Sequence, residues 1–460
     1  MTITQALCDR VVAIKDEQIP AIAFEHANRL VSDGLAVAFA GTRLESGPGI
    51  LAEHVREMGT AEQAHLIGFP AAVAVSQAAY VNGTSMHVLD FEPMWSPATH
   101  ALSPTLPVAL ALGEHLNADG REIAAALIKG IEVQGWLRVA SNQFEPRELR
   151  FHPPGLVGPL GAAVTAGHLL GLDAASLANA LGIAASRCGS LFANVGSMTK
   201  SSHCGLAGAL GLDAALLSTK GFTGNASIFD DPRGYGFAYS DDFDATVLTN
   251  FGPPFRVVDP GYAIKLFPSQ FGTHFAIAAG LAARQLIDDP TDIKQVVLTT
   301  PSMGYVDRPT PLNGLDGKFS WQYTLACALL DNHVGLDTFS DAKRFAPQTQ
   351  AMLERIAVEV DSAIPGNFED AYVRLTITRH DGESISVKSD GPPGKWGQPA
   401  IDPAIHRDKL VDCLSRGLSP DATDGVLMRT ARFSELNADE VGELMTALSV
   451  DREPAAARGS

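Results

Sequence analysis

The chain has 460 residues, of which 46% are hydrophobic and 19% charged, and it carries a formal charge of −18. That balance suits a soluble globular protein of two or three domains, at roughly 100–200 residues each, and argues against nucleic acid or an anionic membrane surface as partner. The five scattered cysteines (Cys8, Cys188, Cys204, Cys327, Cys413) have neither zinc nor thioredoxin spacing. With no signal-like N-terminus and no apolar run near the ~18 residues of a membrane span, the expectation is a reduced, cytoplasmic setting.

In chain order, apolar positions at i, i+3 and i+4 predict helices over 3–14 and 21–39. A glycine-bounded loop is expected at 41–49, with short elements at 50–58 and 61–65 and a small-residue helix over 70–82. Further helices follow at 122–141, 155–170, 175–188 and 205–220, separated by a Gly/Ser loop over 190–200. Turn signals then dominate 222–255. The period changes after about Asp288: 294–300 reads as a strand, and 373–378 with 384–388 as a hairpin turning at Asp381–Gly382. Helices are expected at 320–330, 347–356 and 402–448. The resulting fold class is mainly α. A large helical domain comprises 1–272 and 400–450, a smaller α+β lid domain comprises 273–399, and 451–460 is a disordered tail.

The stretch 81–112, VNGTSMHVLDFEPMWSPATHALSPTLPVALAL, organises the chemistry. Pro93 and Pro97 each remove a donor and bias the preceding residue out of the helical region, so the chain should leave a helix near Leu89 and re-enter one after Pro104. Asp90 and His100 then sit on the two lips of a loop, the competing reading being a capping Asp and a surface His. Four more spots place polar chemistry in apolar or Gly-rich surroundings. His152 opens a helix, where the dipole favours a neutral imidazole. Lys200, with His203, lies just before a helix start, where an anion must compensate the ammonium. Lys265 has Gln270 and His274 nearby, and Tyr305 with Arg308 follows a strand. No Gly-x-Gly-x-x-Gly, Walker loop or nucleophile elbow is present. His87 and His100 are too far apart for a zinc-helix pattern, so no metal site is expected.

Five ordered blocks carry a resemblance. NGTSMHVLDFE…ATH, FHPPGLVGPLGAA, GSMTKSSHCGLAGALGLDAALLSTKGFTG, AIKLFPSQFGTH and GYVDRP…KFSWQYTLACALLD resemble the MmgE/PrpD family, from about residue 5 to 450. Its members include dehydratases, decarboxylases and epimerases of small acids. The resemblance implies a helical domain built from both chain ends plus an α+β lid, a homodimer, an active site between the domains, and chemistry without metal or organic cofactor on a small di- or tricarboxylate. Carried over by motif, the catalytic residues are Asp90, His100, His152, Lys200 and Lys265. Met94, His203, Gln270, His274 and Tyr305 are implied to contact substrate. The chain departs from the decarboxylase pattern at Met94 (threonine there), Ser96 (histidine) and Gln270 (histidine), positions that bear on which reaction occurs.

The residue types suit that chemistry. Proton loss beside a carboxylate, or loss of CO₂, builds negative charge that fixed cations such as Lys200 and Lys265 would stabilise. His100 and His152 are the expected proton shuttles, with Asp90 orienting one of them. The expected function is therefore a cofactor-independent hydro-lyase or carboxy-lyase on a small polycarboxylate. The alternatives are an epimerase of an amino- or imino-dicarboxylate such as iminodisuccinate, and a catalytically silent carboxylate-binding paralogue.

Overall fold

The structure is a computed structural model and describes residues 1–59, 61–145, 149–396 and 398–450, so the expected tail at 451–460 lies outside the described residues. These residues are mainly α. The chain divides into two compact units, one of Met1–Gln143, Leu149–Tyr262 and Pro403–Ser460, the other of Phe144–Glu148 and Ala263–Asp402. The long segment of the second unit begins at Ala263, where 273 was expected. Among the described residues no helix is long and apolar enough to cross a membrane.

In the first unit the helices Val75–His87 and Pro153–Leu169 each pack on Met198–Thr219, and Gly120–Ala140 packs on Pro153–Leu169. Small residues let them come close. A Cβ on Gly205 would lie 2.0 Å from the Tyr80 carbonyl oxygen, and one on Gly83 would lie 2.7 Å from the Gly205 Cα. No side chain fits at that crossing, which seats the start of Met198–Thr219 beside the end of Val75–His87.

Several expected boundaries move, and packing explains each. The helix Ala21–Leu44 runs into the expected loop at 41–49, and Gly41 is glycine because the Ser85 carbonyl oxygen comes within 2.3 Å of where a Cβ would stand. The next helix, Gly47–Glu57, begins inside that loop too. Residues 64–65 and 72–73 form a small antiparallel strand pair, so the expected helix over 70–82 starts only at Val75. Met198–Thr219 begins inside the expected loop at 190–200, which puts Lys200 in the first helical turn.

The second unit holds a four-stranded sheet in the order Ile356–Val360, Ile293–Thr300, Val373–Arg379, Ser384–Ser389. The hairpin turns where expected, with Gly382 at φ 92°. Ile293–Thr300 runs antiparallel to Val373–Arg379 and parallel to Ile356–Val360. A parallel pair needs a long crossover, and the intervening chain supplies it with helices that include Trp321–Asp331 and Pro347–Leu353. The helix expected over 347–356 therefore stops at Leu353, and Ile356–Val360 becomes a strand by pairing from Val296 to Thr300.

Candidate active site

The loop over 88–101 joins the helices Val75–His87 and Leu102–Leu116: the helix ends near Leu89 as expected, but the next one begins at Leu102 and not after Pro104, because a proline in the first helical turn lacks only an N–H that would have no partner in the helix. Asp90 adopts φ 52°, a left-handed conformation uncommon outside glycine and most tolerated by Asn and Asp. Buried side chains grip the loop by its carbonyl groups: Arg256 donates to Ser96 at 2.7 Å and Arg138 Nε to Ala98 at 3.2 Å.

The polar groups of this loop meet the neighbouring helices in one buried cluster. Lys200 Nζ donates to Asp90 Oδ2 at 2.5 Å, so the anion that the lysine required is Asp90. His100 is buried, not on the surface, with Nε2 4.0 Å from Asp90 Oδ1 and Nδ1 2.9 Å from Glu92 Oε1. The carboxylate closest to that imidazole is therefore Glu92, whereas Asp90 is committed to Lys200. Glu92 also accepts from His87 Nδ1 and, at 3.0 Å, from Ser103 Oγ. His152 caps the helix Pro153–Leu169 and is tethered by its own N–H to the Ser190 carbonyl at 2.8 Å. Its Nδ1 lies 3.3 Å from His203 Nδ1, and its ring is 5.4 Å from that of His87 and 5.8 Å from that of His100.

Burial and mutual repulsion set the charge states. Burial pushes His87 down to about 3, with Lys200 and His100 adding to the effect against the opposing pull of Glu92. Burial, then Lys200 and the other imidazoles, holds His152 well below the ordinary histidine range, and burial with Lys200 lowers His203 to about 4. Burial alone would raise Glu92, but His87 and His100 outweigh it and keep the carboxyl well below its usual range. The cluster at neutral pH thus holds an ionised Glu92 beside the imidazoles of His87 and His100, with His87 and the neighbouring His152 neutral. Among the described residues, His87 Nε2 and Glu92 Oε2 are buried with no protein partner, an imbalance typical of functional sites.

His87, set aside on spacing grounds, becomes a cluster member once His152 arrives from another helix. One ring nitrogen from each of His87, His100 and His152 lies within 4.8 Å of the others, and an oxygen each from Asp90 and Glu92 stands equally close to a nitrogen of His100. Neutral imidazoles backed by a carboxylate are a donor set a divalent ion accepts, although zinc at roughly 2.0–2.1 Å would need the rings to close up.

The remaining sequence candidates fall in the second unit. Lys265 is wholly buried and donates to the Ser269 carbonyl at 3.2 Å, a carbonyl that also lies 3.2 Å from His274 Nε2. Gln270 Nε2 donates to the Tyr305 hydroxyl at 3.3 Å, and its Oε1 accepts from the Gly272 N–H. Arg308 is occupied by Asp316 and by the Tyr305 carbonyl. Met94 is buried in the first unit on the loop with Asp90. The structure therefore gathers Asp90, His100, His152, Lys200 and His203, and separately groups Lys265, His274, Gln270 and Tyr305. Glu92 was missed, although a carboxylate inside the apolar run 86–95 was a signal in plain view.

A mainly helical chain of two units thus carries a buried Lys–Asp–His–Glu cluster of groups able to hold and exchange protons. The comparisons make the class specific. The MmgE/PrpD N-terminal domain matches residues 5–248 and the MmgE/PrpD C-terminal domain matches 267–430. The chain belongs to the MmgE/PrpD family. It is 30% identical to the human cis-aconitate decarboxylase, over 100% of this chain and 97% of that protein. It is 29% identical to the mouse cis-aconitate decarboxylase (95% and 91%), and 25% identical to a cis-aconitate decarboxylase of Aspergillus terreus, over 89% of each chain.

Proposed function

We propose that this protein is a carboxy-lyase acting on a small tricarboxylate of the cis-aconitate type, by proton transfer at carbon and without a resident metal or organic cofactor. The observation that carries this reading is the buried arrangement of Lys200 on Asp90 and of His100 on Glu92, in a chain aligned end to end with a decarboxylase.

In such a reaction the bond from carbon to the departing carboxylate breaks and its electron pair moves toward an adjacent unsaturated carboxylate. A proton is then delivered to carbon. His100, whose Nδ1 stands 2.9 Å from ionised Glu92, presents Nε2 as the donor, and one well-placed acid contributes on the order of 10²–10⁴-fold. Lys200 steadies the developing negative charge while Asp90 orients its ammonium. Neutral His152 and His203 serve as substrate hydrogen-bond partners, and Lys265, catalytic on the resemblance of its motif, holds a substrate carboxylate by its charge. Met94 and Gln270 shape the substrate preference. A homodimer in the cytoplasm remains part of this reading.

The test is incubation with cis-aconitate, citrate-like acids and iminodisuccinate in deuterated buffer, followed by NMR and mass spectrometry. Loss of CO₂ from cis-aconitate with one solvent deuterium placed on carbon is the expected result. Loss of water without CO₂, or exchange of an α-hydrogen with no net loss, would replace the carboxy-lyase assignment with a hydro-lyase or an epimerase. No turnover of any acid would leave a carboxylate-binding protein.

A further inference from the structure

We infer that Lys409, on the C-terminal helix Pro403–Leu414, is a positioning residue for the proposed reaction, holding the turn that aims Asp90 and Glu92 into the cluster. The inference rests on the catalytic reading above, and its geometry lies wholly within the first unit.

Lys409 Nζ donates to Asp33 Oδ1 at 3.0 Å, to Asp33 Oδ2 at 2.7 Å and to the Phe91 carbonyl at 2.9 Å, and it stands 4.1 Å from the centre of the Phe91 ring. Its three ammonium protons are matched by these oxygens. Asp33, on the helix Ala21–Leu44, has no exposed surface and also meets His406 Nε2 at 2.9 Å, while Arg29 Nε donates to His406 Nδ1 at 3.4 Å. Burial would raise the Asp33 carboxyl, but the charge of Lys409 and the imidazole of His406 hold it below its usual range.

A pair buried this deeply is a poor source of stability, since apolar residues of similar volume often serve as well; its best-attested use is to fix an arrangement. Here the arrangement is specific. Phe91 lies between Asp90, whose backbone occupies the left-handed region, and Glu92, which meets both His87 and His100. A conformation of that kind persists only where the surroundings over-determine it. The Lys409 bond fixes the peptide at the one residue joining the two carboxylates. Arg256 and Arg138 hold the later carbonyls of the loop, leaving Lys409 as the clamp at its catalytic end.

The test replaces the pair by apolar residues, Asp33→Leu with Lys409→Met, so that no buried charge is stranded; Lys409→Arg keeps the charge but not the three-way geometry. Circular dichroism first confirms folding. Turnover of whichever acid the wild-type protein converts should then lose on the order of 10–10²-fold in kcat, as a displacement of about 1 Å implies, with KM changed by less than about threefold. Lys409→Arg should fall between the two. Added to Asp90→Asn, the double replacement should cost less than the product of the two separate losses, because Lys409 acts partly through Asp90. A purely structural role would instead multiply the losses. Histidine ring ¹⁵N spectra, with His100→Gln supplying the assignment, read the same effect without turnover: the His100 Nδ1–H signal should move in the double replacement. A folded double replacement with wild-type kcat, or with an unmoved His100 signal, overturns the inference. Absence of turnover in the wild type would overturn only the proposed function.

Discussion

The two units hold several of their buried lysines by different means, although Lys129 of the first unit also donates to carbonyl groups, those of Val11 and Ile14. In the first, Lys200 faces the Asp90 carboxylate and Lys409 faces that of Asp33, each within a network that includes imidazoles. In the second, Lys395 donates to the carbonyl groups of Phe368, Glu369 and Asp390 at 3.0–3.1 Å, and Lys265 donates to the carbonyl of Ser269. A carbonyl oxygen accepts a hydrogen bond but takes no proton near neutral pH, whereas a carboxylate or an imidazole can. On the proposed function, Lys200 therefore stands beside a group that can exchange protons, whereas the carbonyl groups beside Lys265 and Lys395 take none.

Four experiments would break or sharpen the comparison. The largest effect should come from removing the cations: Lys200→Met is expected to lower kcat by about 10²–10³-fold, the scale of one lost charge-stabilising donor. Lys265→Ala should act mainly on KM, and steady-state kinetics on both variants separates the roles; equal effects on kcat would erase the distinction. Next, Glu92→Gln should cost about 10²-fold in kcat with little change in KM, because it removes the charge behind His100 while keeping its shape. A pH profile left unaltered by Glu92→Gln would count against proton transfer through His100.

Smaller in consequence for chemistry is Lys395→Met, which strands three carbonyl groups and should cost about 1–3 kcal/mol in urea unfolding. Activity per folded molecule should be unchanged. The smallest effect is a pH slope. The folded chain refuses a proton on His87 until about pH 3, whereas an unfolded chain takes one near the ordinary value of 6.5. Unfolding therefore binds a proton in that window, and stability should be highest above 6.5 and fall as pH drops through it. His87→Asn should flatten that slope in urea midpoints measured from pH 7 to pH 4, and an unchanged slope would show that His87 is not held neutral.

Much of the helical framework was legible because it rests on local period and on Gly and Pro punctuation. The Asp381–Gly382 hairpin and the helix break around Asp90 follow from residues within a few positions of each other. What stayed hidden depended on distant neighbours. Gly41 reads as a loop signal until the Ser85 carbonyl is seen to occupy the place of its side chain. IAVEV continues a helical stretch until Val296–Thr300 offers it hydrogen bonds.

The candidate site divides in the same way. Residue type and local setting sufficed to nominate Asp90, His100, His152 and Lys200, and the need for an anion beside Lys200 followed from its place at a helix start. Which carboxylate serves which partner was decided only by tertiary structure. Asp90 went to Lys200 and Glu92 to His100 and His87, while Lys409 came back from the far end of the chain to hold the peptide between them. Pattern along a chain reports what a residue can do. Hydrogen bonds of 2.5–3 Å between residues 110 or 318 positions apart are written only in the packing, where helix crossings without side chains bring them within reach.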